Sequence, residues 1–161
     1  IFWVRNVAVA EAAHNKKESA EAEKQVVANA HAIADAIGGF YGKPAGDKLF
    51  TLLAGHYGAI KAHLEATLKG DKKGQAEALK KAAANGEEIA TFLSKANPYL
   101  PHDVLLNLLT GHVGHHAAQN EAIKEGDWER EASVWNAMRM HMLNISDALA
   151  AAIAKQFPDK I

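Results

Sequence analysis

Apolar residues recur at helical spacing along almost the whole chain. Leu49, Leu52, Leu53, Ile60, Leu64 and Leu68 fall on one stripe, Leu105, Leu108, Leu109 and Ile123 on a second, and Trp135, Met138, Met142, Ile145 and Leu149 on a third. The pattern predicts six helices, at roughly 1–14, 18–38, 46–69, 72–95, 101–125 and 128–156. The breaks are Asn15-Lys16, Gly38-Gly39, Gly70-Asp71, Asn97-Pro98 and Gly126-Asp127. In a Gly-Asp pair the glycine tolerates the positive φ that closes one helix, and the aspartate accepts amide hydrogen bonds at the start of the next. Pro98 and Pro101 cannot continue a helix, although Pro101 suits a first turn. The predicted fold is an all-α bundle, one domain spanning 1–161.

The helices repeat. Gly55-His56-Tyr57-Gly58 recurs 56 residues later as Gly111-His112-Val113-Gly114. Leu49, Leu52 and Leu53 match Leu105, Leu108 and Leu109, and Gly70-Asp71 matches Gly126-Asp127. Asn29-x-x-x-Ile33 matches Asn85-x-x-x-Ile89 and then His141-x-x-x-Ile145 at the same period. The expected architecture is therefore three antiparallel helical hairpins of one design. In the first hairpin, the position equivalent to His56 falls just before Ile1.

Hairpin register follows from the turns. His56 and Asn85 are equidistant from Gly70-Asp71, and His112 and His141 from Gly126-Asp127. If the hairpins share an axis, His56, His112, His141, Asn85 and Asn29 collect in one layer. His56 lies on its helix's apolar stripe, His112 and His116 lie on or near theirs, and His141 flanks its own.

A layer of this kind suggests chemistry. His112 and His116 are spaced i, i+4 on one helix face and can chelate one metal ion, with His56 and His141 joining from other helices. Asn29 and Asn85 would then be hydrogen-bonding partners of the ligands. Gly55, Gly58, Gly111 and Gly114 sit mid-helix, where each costs about 1 kcal/mol relative to alanine. They offer clearance to a neighbouring helix or to a bulky ligand such as haem b with two axial histidines. Met138 and Met142 share a face near His141, and thioethers with imidazole suit copper(I). Copper, zinc, nickel and iron are all compatible with this ligand set. The plainer readings are that the histidines bond one another, asparagines and water, and that the methionines fill core. His14, His31, His63 and His102 read as surface or loop residues, and Trp3, Trp128 and Trp135 as packing anchors.

Composition narrows the field further. Cysteine is absent, which removes disulfides, thiolate metal sites and thioether-linked haem. The net charge of −1 and the lack of a basic block give no sign of nucleic-acid binding. No apolar run reaches the roughly 18 residues of a membrane-spanning helix. No phosphate-cradling glycine loop and no Gly-x-Ser-x-Gly is present, nor are the two Glu-x-x-His motifs that di-iron bundles need. A non-catalytic protein is the stronger expectation, one that binds a metal ion or small cofactor for storage, sensing or transfer. The other expectation is a ligand-free polar layer in a helical domain that binds a protein partner or forms a homo-oligomer. A third is a small-molecule pocket near Gly58 and Gly114. The compartment stays open; Ile1 is not Met, so an upstream signal peptide and export are compatible with the chain.

Several segments also carry a resemblance. They include Trp3-x-Arg5, Ala36-Ile37-x-x-Phe40-Tyr41-Gly42, Leu52-Leu53-x-x-His56 and Lys69-Gly70-Asp71. Ala84-Asn85-x-Glu87-Glu88-Ile89-Ala90-x-Phe92-Leu93, Asn97-Pro98-Tyr99 and Lys155-Gln156-Phe157-Pro158 complete the set. With them the chain resembles a family of small bacterial all-helical proteins that are often labelled automatically as acetylglutamate kinase or glycosyltransferase. A helix-only chain lacks the strand–loop–helix phosphate sites those labels would need. The resemblance implies histidines at the positions of His56 and His112, and one two residues before Phe2. The Gly-x-x-Gly brackets, His115, His116 and the methionine-rich segment depart from the family pattern.

Overall fold

The computed structural model describes residues 1–160. It is all-helical: α1 (Phe2–Ala12), α2 (Lys16–Tyr41), α3 (Lys43–Lys69), α4 (Lys72–Ala96), α5 (His102–Glu125) and α6 (Trp128–Gln156), followed by a short 3₁₀ turn, Pro158–Lys160. Among the described residues no helix is long and apolar enough to cross a membrane.

The turns form as their chemistry dictates. Gly70 and Gly126 close α3 and α5 in the left-handed region, at φ 72° and 69°. Asp71 and Asp127 then cap α4 and α6 by accepting from the backbone N–H groups of Gly74 and Arg130. One expected break is displaced. Helix α2 continues through Gly38-Gly39 to Tyr41, and α3 starts at Lys43. The chain reverses at Gly42 alone, with φ 91°. Gly38 instead lies against Gly46 of α3, where a Cβ on Gly46 would stand 2.7 Å from the Ala34 carbonyl oxygen. Here glycine permits two helices to approach closely and does not end one.

Each odd-numbered helix packs on the even-numbered helix that follows it, giving α1/α2, α3/α4 and α5/α6 pairs. Helix α3 also packs on α2 and α5, and α5 on α4 and α1. Two apolar clusters result. One gathers Leu52, Ile89, Leu93, Leu100, Leu105 and Ala152; the other gathers Val7, Ala8, Ala22, Leu64 and Ile123. On α3, His56 lies between Leu52 of the first cluster and Leu64 of the second. On α5, His112 lies between Leu105 and Ile123. Along α3 and α5 the histidines therefore lie between the two apolar clusters.

Candidate metal centre in a buried histidine layer

Repeat-equivalent residues make the same contact in two hairpins. The Asn85 amide on α4 donates to the Leu52 carbonyl on α3 at 3.0 Å. On α6 the His141 ring nitrogen Nε2 donates to the Leu108 carbonyl on α5 at 2.7 Å. Both side chains cross a glycine of the facing helix. A Cβ on Gly55 would meet the Asn85 amide at 3.1 Å, and one on Gly111 would meet His141 Cε1 at 3.1 Å. The clearance at Gly55 and Gly111 is thus taken up by the protein's own side chains. A Cβ on Gly58 or Gly114 would meet nothing within 4 Å, so neither marks a close approach.

The hydrogen bonds assign tautomers. The Asn85 NH₂ serves Leu52, so its Oδ1 accepts from His56 Nδ1 at 3.2 Å. This places the proton of His56 on Nδ1 and a lone pair on Nε2. His141 carries its proton on Nε2, where the Leu108 carbonyl holds it, and keeps Nδ1 as the free nitrogen. Metal-binding histidines are oriented in this way, with one nitrogen donating to a carbonyl and the other left for the metal.

The rings gather around His112. His56 stacks on it with centroids 5.6 Å apart, His116 meets it edge-on at 4.6 Å, and His141 lies nearly parallel at 6.5 Å. His112 is 8% exposed and His116 3%. Two buried nitrogens of this group, His56 Nε2 and His112 Nδ1, have no hydrogen-bond partner. Each such orphan costs about 1–3 kcal/mol. Burial holds His56 below the usual histidine range and His116 well below it. His112 is pushed down to about 3, by burial first and then by repulsion from neighbouring histidines, His56 foremost. Burial thus favours the neutral imidazole at His56, His112 and His116, the protonation state in which histidine binds metal. The rings stack and do not yet converge: among the described residues no three His, Asp or Glu side chains stand in ligand geometry as they are.

Other sequence expectations meet different fates. Asn29 is exposed and lines an open groove with Ile1, Phe2, Trp3 and Val26, so it does not join the layer. Met138 is fully buried and Met142 half-buried. Trp3 and Trp128, expected as packing anchors, are 38% and 54% exposed, while Trp135 is half-buried beneath the Arg5 guanidinium. His14 and His31 are exposed, and His102 is partly exposed between Glu87 and Asp103.

His63 is the clearest correction. It is buried at 4% exposure, not at the surface. Its Nδ1 faces the Asn120 amide at 3.1 Å and the Thr67 hydroxyl at 3.4 Å. Nearby helices hold a related set: Arg5 donates twice to Glu131, at 2.6 and 2.8 Å, and Gln119 donates to the same carboxylate at 2.9 Å. Arg5 is the main cause that holds the Glu131 carboxyl below its ordinary range. This second polar layer was detectable. His63 follows His56 by seven residues, two turns on the same face, and its repeat equivalent is the polar Gln119.

No protein-family model matches the chain, and searches of curated proteins and of solved structures find no significant match.

Proposed function

We propose that the protein binds a transition-metal ion non-catalytically, for storage, sensing or transfer. The ligands are drawn from His56, His112, His116 and His141. The observation that carries this reading is the pair of orphaned, water-excluded nitrogens on His56 and His112. They lie beside histidines that a hydrogen bond has already oriented. An ion between them would satisfy both nitrogens, and neutral imidazoles suit copper, zinc, nickel or iron. Closing the set requires the stacked rings to turn about their side-chain torsions. Met138, one turn before His141, adds a soft ligand that would favour copper(I). Asn85 orients His56, whereas Asn29 is placed to do nothing comparable.

Haem fits less well. His56 and His112 face each other at 5.6 Å and 18°, whereas axial ligands stand edge-on across a macrocycle. Of the four glycines that would have made room, Gly55 and Gly111 are covered by Asn85 and His141. The second reading is a ligand-free layer that fixes helix register, and the stacked arrangement of the rings favours it.

Elemental analysis of protein purified without a histidine tag separates the two. Near-stoichiometric copper, zinc, nickel or iron is expected in the wild type, with most of it lost in His112→Ala. Metal content that is unchanged in His112→Ala, or absent from wild type after reconstitution and desalting, sinks the metal reading and leaves the structural one.

A further inference from the structure

At the end of the bundle opposite the Gly-Asp turns, the last turns of α2, α4 and α6 are tied by a closed ring of groups. Gln156 Nε2 on α6 donates to the Ala96 carbonyl at 3.0 Å, which leaves its Oε1 to accept, and the Tyr41 hydroxyl on α2 donates there at 2.8 Å. The Tyr41 oxygen in turn accepts from Nδ2 of Asn97, the residue after Ala96, at 2.8 Å. Asn97 is fully buried, and its Oδ1 accepts from the Tyr99 N–H at 2.8 Å, which sets the orientation of the amide. Each group donates to the next, and hydrogen bonds linked in this way strengthen one another. Phe157 packs edge-on against the Tyr41 ring, with centroids 5.0 Å apart.

The apolar contacts of this part of α6 are modest. The helix packs chiefly on α5. Over 148–156 it is alanine apart from Leu149, Ile153, Lys155 and Gln156, and alanine buries little apolar area. Ala152 is buried, but Leu149 and Ile153 are half-buried, and they share a small apolar gap with Ile37, Tyr41 and Leu93. Segments with few large buried side chains open locally at low cost. The hydrogen-bonded ring is therefore a large part of what keeps this stretch against α2 and α4. One hydroxyl carries both of its links to α2, so losing it opens the ring at two points.

We propose that Tyr41, Asn97 and Gln156 form a latch, and that residues 148–156 undock from the ends of α2 and α4 as a unit when it opens, while the rest of the bundle stays folded. Release uncovers the apolar sides of Ile37 and Leu93, each 9% exposed in the closed form. The latch thus gates an apolar surface at this end of the bundle. It stands apart from the histidine layer and does not depend on a ligand there.

Native-state hydrogen exchange read by mass spectrometry tests this on wild type, Tyr41→Phe and the control Tyr57→Phe. Tyr41→Phe keeps the ring and removes both bonds of the hydroxyl. The control loses a hydroxyl that donates to Glu23 at 2.7 Å, away from the latch. In Tyr41→Phe, peptides covering 148–156 are expected to exchange about ten-fold faster, equivalent to about 1.4 kcal/mol, while those covering 59–67 of α3 keep the wild-type rate. Tyr57→Phe should leave 148–156 unchanged. Equal acceleration of both regions in Tyr41→Phe would overturn the latch, because the end of α6 would then open only with the whole bundle. Unchanged exchange over 148–156 in Tyr41→Phe, or the same acceleration there in Tyr57→Phe, would overturn it as well.

Discussion

The two polar layers of this bundle differ in how they are finished. Around Glu131 and His63 the buried groups close on one another. Arg5 and Gln119 both serve the Glu131 carboxylate, and Asn120 and Thr67 both face His63 Nδ1. Around His112 the hydrogen bonds stop short. His56 and His141 are each anchored on one nitrogen, while His56 Nε2 and His112 Nδ1 face the interior with no partner. Among the described residues the other buried side-chain nitrogen without a partner is Gln75 Nε2. A closed network positions helices, and breaking it should cost stability. An open one at the same depth is poorly suited to that role and well suited to receive a ligand.

Acid should have the largest effect, mainly through the histidine layer. The folded-state pKa of His112 lies at about 3, below its unfolded value, so the unfolded chain takes up the proton first. The stabilisation is complete above about pH 6.5 and is lost as pH falls toward 3, at up to about 1.4 kcal/mol per pH unit for each histidine kept neutral. His116 acts in the same direction. Urea unfolding of metal-free protein should therefore show stability dropping by several kcal/mol from pH 7 to pH 5, within the range where His63 also contributes. A flat profile over that range would show that the layer is hydrated and already open to protons.

Arg5→Ala should come next. It leaves the Glu131 carboxylate, 3% exposed in the side chain, without its cation, and should cost roughly 3–5 kcal/mol in chemical denaturation. A loss under about 1 kcal/mol would place this pair with ordinary surface ion pairs. Gly46→Ala probes packing away from both layers. Its Cβ would clash with the Ala34 carbonyl at 2.7 Å, so a loss of about 1–3 kcal/mol is expected. An unchanged midpoint would mean that α2 and α3 separate at no cost. The smallest effect belongs to His56→Leu in metal-free protein. Replacing a ring with an orphaned nitrogen by an apolar side chain should leave stability within about 1 kcal/mol of wild type, or raise it. A loss above about 2 kcal/mol would mean that the His56 ring makes structural bonds beyond the one to Asn85.

The sequence disclosed what is local or periodic. The Gly-Asp turns were legible because glycine at positive φ and aspartate at a cap are single-residue chemistry. The 56-residue period set His56 beside Asn85 and His112 beside His141 because hairpin register is arithmetic once the turns are known. What depends on neighbours was not legible. Gly38-Gly39 carries a helix-stop signal, but its use is the close contact with Gly46, which only the packed α2/α3 pair reveals. Asn29 shares its repeat position with Asn85, yet it is exposed, and repeat position alone does not report burial. For His63 the seven-residue spacing from His56 carried the signal for its face, and only its partner Asn120, from another helix, lay beyond the sequence. The stacking of the rings, which leaves the two nitrogens unsatisfied, has no sequence signature.

The most direct test is calorimetric titration of Cu²⁺ into metal-stripped, tag-free protein at pH 7, with glycine as a competing ligand to suppress surface histidines. Cu²⁺ binds most strongly among the first-row divalent ions, so it gives an imidazole site its best chance of being seen. A site built on the orphaned nitrogens predicts one saturable ion per chain with Kd below about 1 μM, equivalent to roughly −8 kcal/mol, and its loss in His112→Ala. No saturable binding, or binding that survives His112→Ala unchanged, would contradict it and leave the histidine layer as a structural feature of the bundle.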